Sequence, residues 1–230
     1  MKFSFVIPAY NEGKFLGGCI KSIKAQNYKD YEIIVSYSPS KDNTLQIAKK
    51  HGAKVVTLPK CFPGMAKNAG ARAATGEYLI FMDADTTVPG NFLSSTIKHL
   101  GRDRVAVAYP SRWSDGDRIL DMFSDVVKNP LSKQRKLLFF CYVVKKSAFD
   151  KIGGFNKKMK ANEDWDISKR LKKTGRITYN EDATVGVSAR RFRELGKLKS
   201  LVVYSSWFIM GYVLGREAKY FHLSDFDRRR

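Results

Sequence analysis

Gly76-Glu77-Tyr78-Leu79-Ile80-Phe81-Met82-Asp83-Ala84-Asp85 is an apolar run that ends at two acids one residue apart. The part from Leu79 to Met82 predicts a strand buried on both faces, because it is short, uninterrupted and bounded by a glycine and by acids. Carboxylates at positions i and i+2 of an extended backbone point the same way. At the carboxyl edge of a parallel sheet, where open α/β sheets bind ligands, they provide the oxygen ligands that a hard divalent cation prefers. The alternative is a turn or a helix N-cap before Pro89.

Strand and helix patterns alternate on both sides of this stretch. Strands are predicted over 2–7, 31–35, 54–57 and 105–109, with helices over 15–23, 41–51 and 64–74 and another with Pro89 in its first turn. Helices of this length between strands imply right-handed βαβ crossovers and a mostly parallel sheet. The pattern therefore predicts an α/β protein of a nucleotide-binding type. Neither GxGxxG nor GxxxxGK[ST] is present, so a dinucleotide fold or a P-loop enzyme is not supported.

The second half of the chain has a less regular pattern. It predicts a polar loop over 111–117, a helix over 119–127, a buried strand over 137–144 and a short helix capped by Ser147. A helix is predicted over 163–173, on which Asp164, Ile167 and Leu171 share one face. Edge strands over 178–188 precede a basic helix that begins at Arg190. Asp164 would lie on the core-facing side of a first helical turn, although the helix dipole alone favours acids there.

The composition indicates a folded protein with a strongly basic surface. With 230 residues, of which 43% are hydrophobic, the chain can bury one sizeable core. The 42 basic and 22 acidic residues give a net charge of +20, which favours an anionic partner such as nucleic acid, a phosphorylated substrate or anionic lipid. Three cysteines without CxxC spacing predict neither a disulfide framework nor a zinc site, and together with the absence of a signal-peptide pattern they favour a cytoplasmic location.

The segment 200–215 is the last feature of the pattern. Its sixteen residues carry no charge, but they are fewer than the ~20 that a membrane-spanning helix needs. Basic flanks and internal Trp and Tyr suit a helix that lies in the interface of the cytoplasmic membrane face. A helix that packs on the domain or pairs in a dimer explains the segment equally well. The terminal Arg228 to Arg230 would add attraction to anionic lipid.

Five motifs, in this order along the chain, resemble glycosyltransferases of family 2 with the GT-A fold. They are Phe5-Val-Ile-Pro-Ala-Tyr-Asn-Glu12, Lys67-Asn-Ala-Gly-Ala-Arg72, Asp83-Ala-Asp85, Ile152-Gly-Gly-Phe155 and Glu163-Asp-Trp-Asp166. The resemblance implies a GT-A type nucleotide-binding α/β/α sandwich with a mostly parallel central sheet over 1–195. A nucleotide-sugar-binding half would cover 1–110 and an acceptor half 111–195, and 196–230 would form a C-terminal amphipathic helical segment.

The resemblance also implies site residues. Asp83 and Asp85 match the DxD motif and would bind Mg²⁺ or Mn²⁺, and Asp164, with Glu163 beside it, would be the general base toward the acceptor hydroxyl. The remaining matches are, for the nucleotide sugar, Pro8, Tyr10, Glu12, Ser36, Lys67, Asn68, Asp83 and Ala84, and for the acceptor side, Trp165, Arg190 and Arg191. Simpler interpretations stay open: a solvated surface lysine for Lys67, a core residue for Trp165 and a solvated basic face for the arginines.

Three departures from the family limit what the resemblance implies. Ser36 and Tyr37 stand where the family has acids that help to bind the base, so the base of the donor stays open. None of His51, His99 and His222 is near the last strands, where the family often has a further metal ligand. The QxxRW motif of processive synthases is absent from the chain, which favours the addition of a single sugar.

The predicted function is therefore inverting, metal-dependent transfer of one sugar from a nucleotide-diphosphate sugar to a hydroxyl of a glycan or lipid-linked acceptor. The paired acids favour a hydroxyl acceptor, because a lipid phosphate is already ionised and needs no base. One alternative is a polyprenyl-phosphate glycosyltransferase. The other is a non-catalytic basic module that binds nucleic acid or an anionic membrane.

Overall fold

The computed structural model describes residues 1–113, 118–159 and 162–196, which build two sheets with helices packed against the larger one. The strands are β1 (Phe3–Ala9), β2 (Tyr31–Tyr37), β3 (Lys54–Thr57), β4 (Tyr78–Met82), β5 (Thr86–Thr87), β6 (Arg104–Ala108), β7 (Ser111–Trp113), β8 (Cys141–Lys145), β9 (Arg176–Tyr179) and β10 (Val185–Val187). The order in the large sheet is β3-β2-β1-β4-β8-β6-β9 and in the small sheet β5-β10-β7. In the large sheet only β8 runs antiparallel to its neighbours, so the prediction of a mostly parallel sheet is confirmed.

Helices cover both faces of the large sheet. They are α1 (Leu16–Lys24), α2 (Thr44–Lys50), α3 (Pro63–Ala73), α4 (Phe92–His99), α5 (Arg118–Phe123), α6 (Asn129–Arg135), α7 (Lys146–Lys151), α8 (Glu163–Leu171) and α9 (Arg190–Leu195), with a π-helical turn over Ser124–Lys128 between α5 and α6. Strand β1 explains the two layers, because its side chains alternate: Phe5 and Ile7 join the core under α1 and α4, whereas Val6 joins the core under α3 and α8. Strand β4 is buried along its whole length, as its apolar run predicts.

Several predicted boundaries are wrong for local reasons. Strand β1 continues through Pro8, although proline has no N–H to donate. On the side of β4 the pairing ends at Val6, so the missing N–H of Pro8 leaves no carbonyl of β4 without its hydrogen bond. Pro89 precedes α4 instead of lying in its first turn. Residues 111–113 form β7 and not part of a polar loop. Strand β8 begins only at Cys141, because Phe140 has a φ of +54°, and α7 begins before Ser147, at Lys146. The segment 200–215 lies outside the described residues.

Helix α3 packs closely on β1 and β2 because Gly70 has no side chain. A Cβ atom at this position would lie 2.4 Å from Val6 Cγ1 and 2.6 Å from Ser36 Oγ. We expect Gly70→Ala to lower the free energy of unfolding by about 1–3 kcal/mol, as overpacking of a core does. Urea denaturation followed by circular dichroism measures this change.

The matched control is Gly18→Ala in α1, where a Cβ atom would meet nothing within 4 Å. There alanine should stabilise the helix by roughly 0.5–1 kcal/mol. Equal stability of Gly70→Ala and the parent protein would show that α3 does not pack closely enough on β1 to exclude a methyl group at position 70.

Candidate active site

Charged side chains from distant parts of the chain converge at the carboxyl ends of β1 and β4. Glu12 follows β1, and Asp83 and Asp85 follow β4. Burial raises the pKa of the Cys19 thiol in α1, and the negative charges of these three carboxylates raise it further. The carboxylate of Asp83 also acts on the ammonium group of Lys67 in α3. The sequence prediction that the two aspartates lie at this edge of the sheet is therefore confirmed by their position, directly after the buried strand.

Arg190, the first residue of α9, holds the second aspartate of the DxD motif. Its Nε lies 2.9 Å from Asp85 Oδ2, and its two terminal nitrogens donate to the two carboxylate oxygens of Glu12, the Nη1 bond measuring 2.7 Å. The guanidinium group lies over the ring of Phe15, with Cζ 4.6 Å from the ring centre. A backbone hydrogen bond holds the start of α9 close to Asp85, because the N–H of Ser188, two residues before Arg190, donates to the carbonyl of Asp85. The guanidinium group thus joins two carboxylates that the sequence assigned to the donor site.

A second ionic cluster joins α3 to the start of α8. The Nζ of Lys67 lies 2.8 Å from Asp164 Oδ1 and 3.0 Å from Glu163 Oε1, and the hydroxyl of Tyr142 in β8 donates to the same oxygen of Asp164. Only 3% of the Lys67 side chain is exposed, compared with 20% for Asp164. The solvated surface lysine that the sequence left open is therefore wrong, and Lys67 is the buried centre of this cluster.

Burial and charge act in opposite directions on the pKa values of this cluster. Burial disfavours the charged form of Lys67, but the carboxylates of Asp164, Glu163 and Asp83 outweigh it and raise the pKa of the ammonium group above its usual value. Burial and the negative charge of Glu163 raise the pKa of Asp164, and together they exceed the opposite effect of Lys67 and Tyr142. Lys67 therefore stays charged, while Asp164 is a stronger base than an ordinary aspartate.

Asn68 fixes the loop before α8. Its side-chain amide donates to the carbonyl of Phe155 at 2.8 Å and accepts from the N–H of Phe155 at 2.9 Å. The loop bends at Gly154, whose φ is +71° and whose Cβ would lie 2.5 Å from Asn68 Oδ1. Because both atoms of the amide are used within the protein, Asn68 positions the loop, and its predicted contact with a donor stays a prediction.

The structure brings some of the other predicted residues to the site and leaves others buried. Tyr10 lies beside Lys60, whose Nζ donates to its hydroxyl at 2.9 Å. Ser36 is only 1% exposed and faces Gly70 under α3, which weighs against a contact with the nucleoside. Ala84 is buried, and Trp165 is half-buried beneath the ammonium group of Lys169. Arg191 belongs to α9, but its side chain lies outside the described part of the chain.

Two contacts in the site escaped the sequence analysis. The pattern of 137–144 predicts only a buried strand, and the tyrosine within it gives no signal that its hydroxyl reaches Asp164. The pairing of Arg190 with Asp85 and Glu12 depends on residues that are far apart in the chain. The residue types offer a weak hint, since buried carboxylates need a cationic partner.

The two carboxylates of Asp83 and Asp85 fit a divalent cation that takes most of its ligands from substrate oxygens. In residues 1–113, 118–159 and 162–196, no group of three His, Cys, Asp or Glu side chains is arranged to hold a metal ion. Mg²⁺, however, is usually held by one or two carboxylates together with substrate phosphates. Asp85 already binds a cation, since the guanidinium group of Arg190 lies 2.9 Å from its carboxylate. Asp83 and Asp85 thus have the right chemistry for Mg²⁺ or Mn²⁺.

Lys128, the last residue of the π-helical turn, is a buried lysine. Its Nζ lies 5.0 Å from the ring centre of Trp113 and 5.2 Å from that of Phe140, and it has no hydrogen-bond partner among the described residues. Burial lowers the pKa of its ammonium group to about 7, against the opposing effect of Asp121 and Asp125. The folded protein therefore binds fewer protons than the unfolded chain between about pH 7 and the usual lysine pKa of about 10.4.

Stability should consequently rise with pH across this window. We expect the free energy of unfolding to increase by about 2 kcal/mol between about pH 7 and about pH 9, and we expect Lys128→Met to remove most of that increase. Urea denaturation at a series of pH values measures both quantities. An equal increase in the parent protein and in Lys128→Met would contradict the assignment to Lys128.

None of the helices in the described ranges is long and apolar enough to cross a bilayer. The uncharged segment 200–215 belongs to the part of the chain that is not described. Its predicted association with a membrane surface therefore stays a prediction.

Sequence comparison identifies relatives of this chain. A family model described as Glycosyl transferase family 2 matches residues 4–160. The uncharacterized glycosyltransferase RP339 of Rickettsia prowazekii is 26% identical over 199 residues, which are 79% of this chain and 62% of that protein. The poly(ribitol-phosphate) beta-N-acetylglucosaminyltransferase TarS of Staphylococcus aureus is 31% identical over 93 residues, which are 37% of this chain and 16% of that protein. The chain thus spans less than two thirds of the length of these relatives.

Structural comparison agrees with the sequence match. The structure of TarS residues 1–349 in complex with UDP-GlcNAc has a TM-score of 0.66 at 21% identity, over 80% of this chain and 58% of that chain. The mannosyltransferase PcManGT of Pyrobaculum calidifontis in complex with GDP-Man and Mn²⁺ has a TM-score of 0.69 at 18% identity, over 82% of this chain and 57% of that chain. These likenesses establish the fold, which is the predicted GT-A type. Since the family model covers more than half of the sequence, the chain belongs to glycosyl transferase family 2.

Proposed function

We propose that this protein is an inverting, metal-dependent glycosyltransferase that moves a single sugar from a nucleotide-diphosphate sugar to a hydroxyl of a glycan or lipid-linked acceptor. The observation that carries the proposal is the position of Lys67 between two sets of acids. Its ammonium group contacts Asp164 at 2.8 Å and is acted on by the carboxylate of Asp83. This position supports a single site that contains both the donor aspartates and the candidate base, which lies beyond the end of the family model at residue 160.

On the donor side, Asp83 and Asp85 would hold Mg²⁺ or Mn²⁺ beside the diphosphate. When bound, the ion would neutralise the negative charge that develops on the leaving diphosphate. The Mn²⁺ in the PcManGT complex supports this choice. The base of the donor stays open, because one structural neighbour is a complex with UDP-GlcNAc and the other with GDP-Man, and because Ser36 and Tyr37 lack the carboxylates that the family uses there.

On the acceptor side, Asp164 would remove the proton of the acceptor hydroxyl. The hydroxyl oxygen forms a bond with the anomeric carbon, the bond to the diphosphate oxygen breaks, and the proton moves to the Asp164 carboxylate. Burial raises the pKa of this carboxylate and strengthens it as a base, while Lys67 keeps it ionised before the reaction. Glu163, bound to the same ammonium group at 3.0 Å, would keep Lys67 neutralised after Asp164 accepts the proton.

The acids around Lys67 favour a hydroxyl over a polyprenyl phosphate as the acceptor, because an ionised phosphate needs no base. The basic surface also suits an anionic membrane. Binding of nucleic acid is not part of the proposal and belongs to the alternative of a non-catalytic basic module, which the net charge of +20 alone would support.

The first test measures thermal stability with UDP or GDP, each with and without Mn²⁺ or Mg²⁺. We expect one nucleoside diphosphate together with the metal ion to raise the melting temperature, because a ligand that binds only the folded state stabilises it. Nucleotide sugars with the matching base are then tested with glycan and polyprenyl-phosphate acceptors. Tight, salt-sensitive binding of DNA with no effect of any nucleotide would contradict the proposal and favour a basic binding module.

A further inference from the structure

We propose that Arg190 is a built-in counter-cation of the donor site, which binds Asp85 and Glu12 in the donor-free protein and is exchanged for the divalent cation when the nucleoside diphosphate binds. The inference rests on the proposed function and adds to it a residue that couples binding of the metal ion to binding of the nucleotide. Its basis is the set of contacts that the guanidinium group makes with the two acids.

The guanidinium group is held in place from three sides. It forms a bidentate pair with Glu12, a third ionic contact with Asp85 and a contact over the ring of Phe15. Exposure of the side chains is only 16% for Arg190, 13% for Glu12 and 8% for Asp85. The two hydrogen bonds to Glu12 and the ionic contact of Nε with Asp85 involve all three guanidinium nitrogens in a region with little solvent, so this is a built pairing and not a chance surface contact.

This pairing blocks the side chain that the metal ion needs. The Oδ2 atom of Asp85 lies 2.9 Å from Arg190 Nε, so a metal ion that bound this oxygen would share it with a positive charge. Two cations at such a separation repel each other strongly where water is largely excluded. Metal binding by the Oδ2 atom of Asp85 therefore requires the guanidinium group to move away from that oxygen.

The diphosphate makes the exchange favourable. A guanidinium group is well suited to bind phosphate oxygens in a bidentate manner, so an arriving diphosphate offers Arg190 a new partner while the metal ion takes Asp85. The metal ion alone offers no such partner. Consequently Mn²⁺ alone should bind weakly, and Mn²⁺ and the nucleoside diphosphate should strengthen each other's binding by the same factor.

The test compares the parent protein with Arg190→Gln, Arg190→Lys and Arg193→Gln. Binding of Mn²⁺ alone is measured by the loss of the free-ion electron paramagnetic resonance signal, and binding of UDP and GDP, each with and without Mn²⁺, by calorimetry. We expect Arg190→Gln to bind Mn²⁺ alone at least about 10-fold more tightly than the parent protein. In this variant the charged contacts of Arg190 with Asp85 and Glu12, worth more than about 1.4 kcal/mol, no longer compete with the metal ion for the carboxylates. The mutual strengthening of Mn²⁺ and nucleotide should fall by about the same factor.

The other two variants make the comparison specific. Arg193→Gln removes the same charge from an exposed side chain of α9, so its affinity for Mn²⁺ should stay within about twofold of the parent value. Arg190→Lys keeps the charge but loses the planar fork, and its affinity should lie between those of the parent protein and Arg190→Gln. If Arg190→Gln does not fold, the Mn²⁺ affinity of Arg190→Lys still tests the exchange.

The outcomes separate this inference from the proposed function. If neither nucleotide binds the parent protein in the presence of Mn²⁺, the proposed function is wrong and the inference fails with it. If a nucleotide binds but Mn²⁺ alone binds equally to the parent protein and to both Arg190 variants, only the exchange is overturned. Loss of nucleotide binding in Arg190→Gln with an unchanged affinity for Mn²⁺ also overturns it, because Arg190 would then be a simple diphosphate ligand.

Discussion

Replacement of Asp164 by asparagine is expected to lower the rate of sugar transfer by about 10²–10⁴-fold, the contribution of a positioned general base. An amide cannot accept the proton of the acceptor hydroxyl. It can still accept the hydrogen bond from Tyr142, and Lys67 keeps Glu163 as a partner at 3.0 Å. The fold and the donor site should therefore persist, and the affinity for the nucleoside diphosphate with Mn²⁺ should stay close to the parent value.

Release of nucleoside diphosphate from the nucleotide sugar measures the rate, with either the acceptor or water taking the sugar. Calorimetry measures the affinity for the nucleotide. The control is Asp150→Asn, which removes a carboxylate from an exposed pair with Lys146 in α7 and should leave both quantities unchanged. Transfer at the parent rate by Asp164→Asn would show that another group takes the proton.

The hydrophobic pattern of the sequence was sufficient to predict which strand and which helix carry the acids of the site. The apolar run from Leu79 to Met82 predicts a strand buried on both faces, so the acids after it are expected at the edge of the sheet, where the structure has them. The spacing of Asp164, Ile167 and Leu171 likewise placed Asp164 on the inner side of α8, where Ile167 and Leu171 are fully buried. Both inferences depend only on the periodicity of strands and helices, which a sequence displays directly.

The partners of these acids could not be predicted in the same way. Which cation neutralises Asp85 or Asp164 depends on how α9 and α3 pack on the sheet, and the local pattern of Arg190 or Lys67 does not contain that information. The same limitation explains Ser36. Its position at the end of β2 suggested a contact with the nucleoside, but the close approach of α3 at Gly70 covers its hydroxyl.

Lys67→Met is expected to have the largest effect on stability. The substitution keeps most of the volume of the side chain but leaves Glu163 and Asp164 beside each other without a cation. Removal of one partner from a buried ion pair typically costs 3–5 kcal/mol, and we expect about 3 kcal/mol here because a fifth of the Asp164 side chain remains exposed to water. Urea denaturation at neutral pH measures the loss, and Lys98→Met, on the exposed side of α4, should change stability by less than about 0.5 kcal/mol.

The dependence on pH distinguishes charge from packing as the cause. Without Lys67, burial and the negative charge of Glu163 would raise the pKa of Asp164 in the folded state further above its value in the unfolded chain. The folded variant would then bind more protons than the unfolded one at mildly acidic pH, so its stability should fall as pH rises through the folded pKa of Asp164. The deficit relative to the parent protein should therefore be smallest in acid and largest at neutral pH. A deficit that is the same at both would assign the role of Lys67 to packing against Tyr142 and Phe155, whose ring centres lie 5.8 and 5.4 Å from its ammonium group.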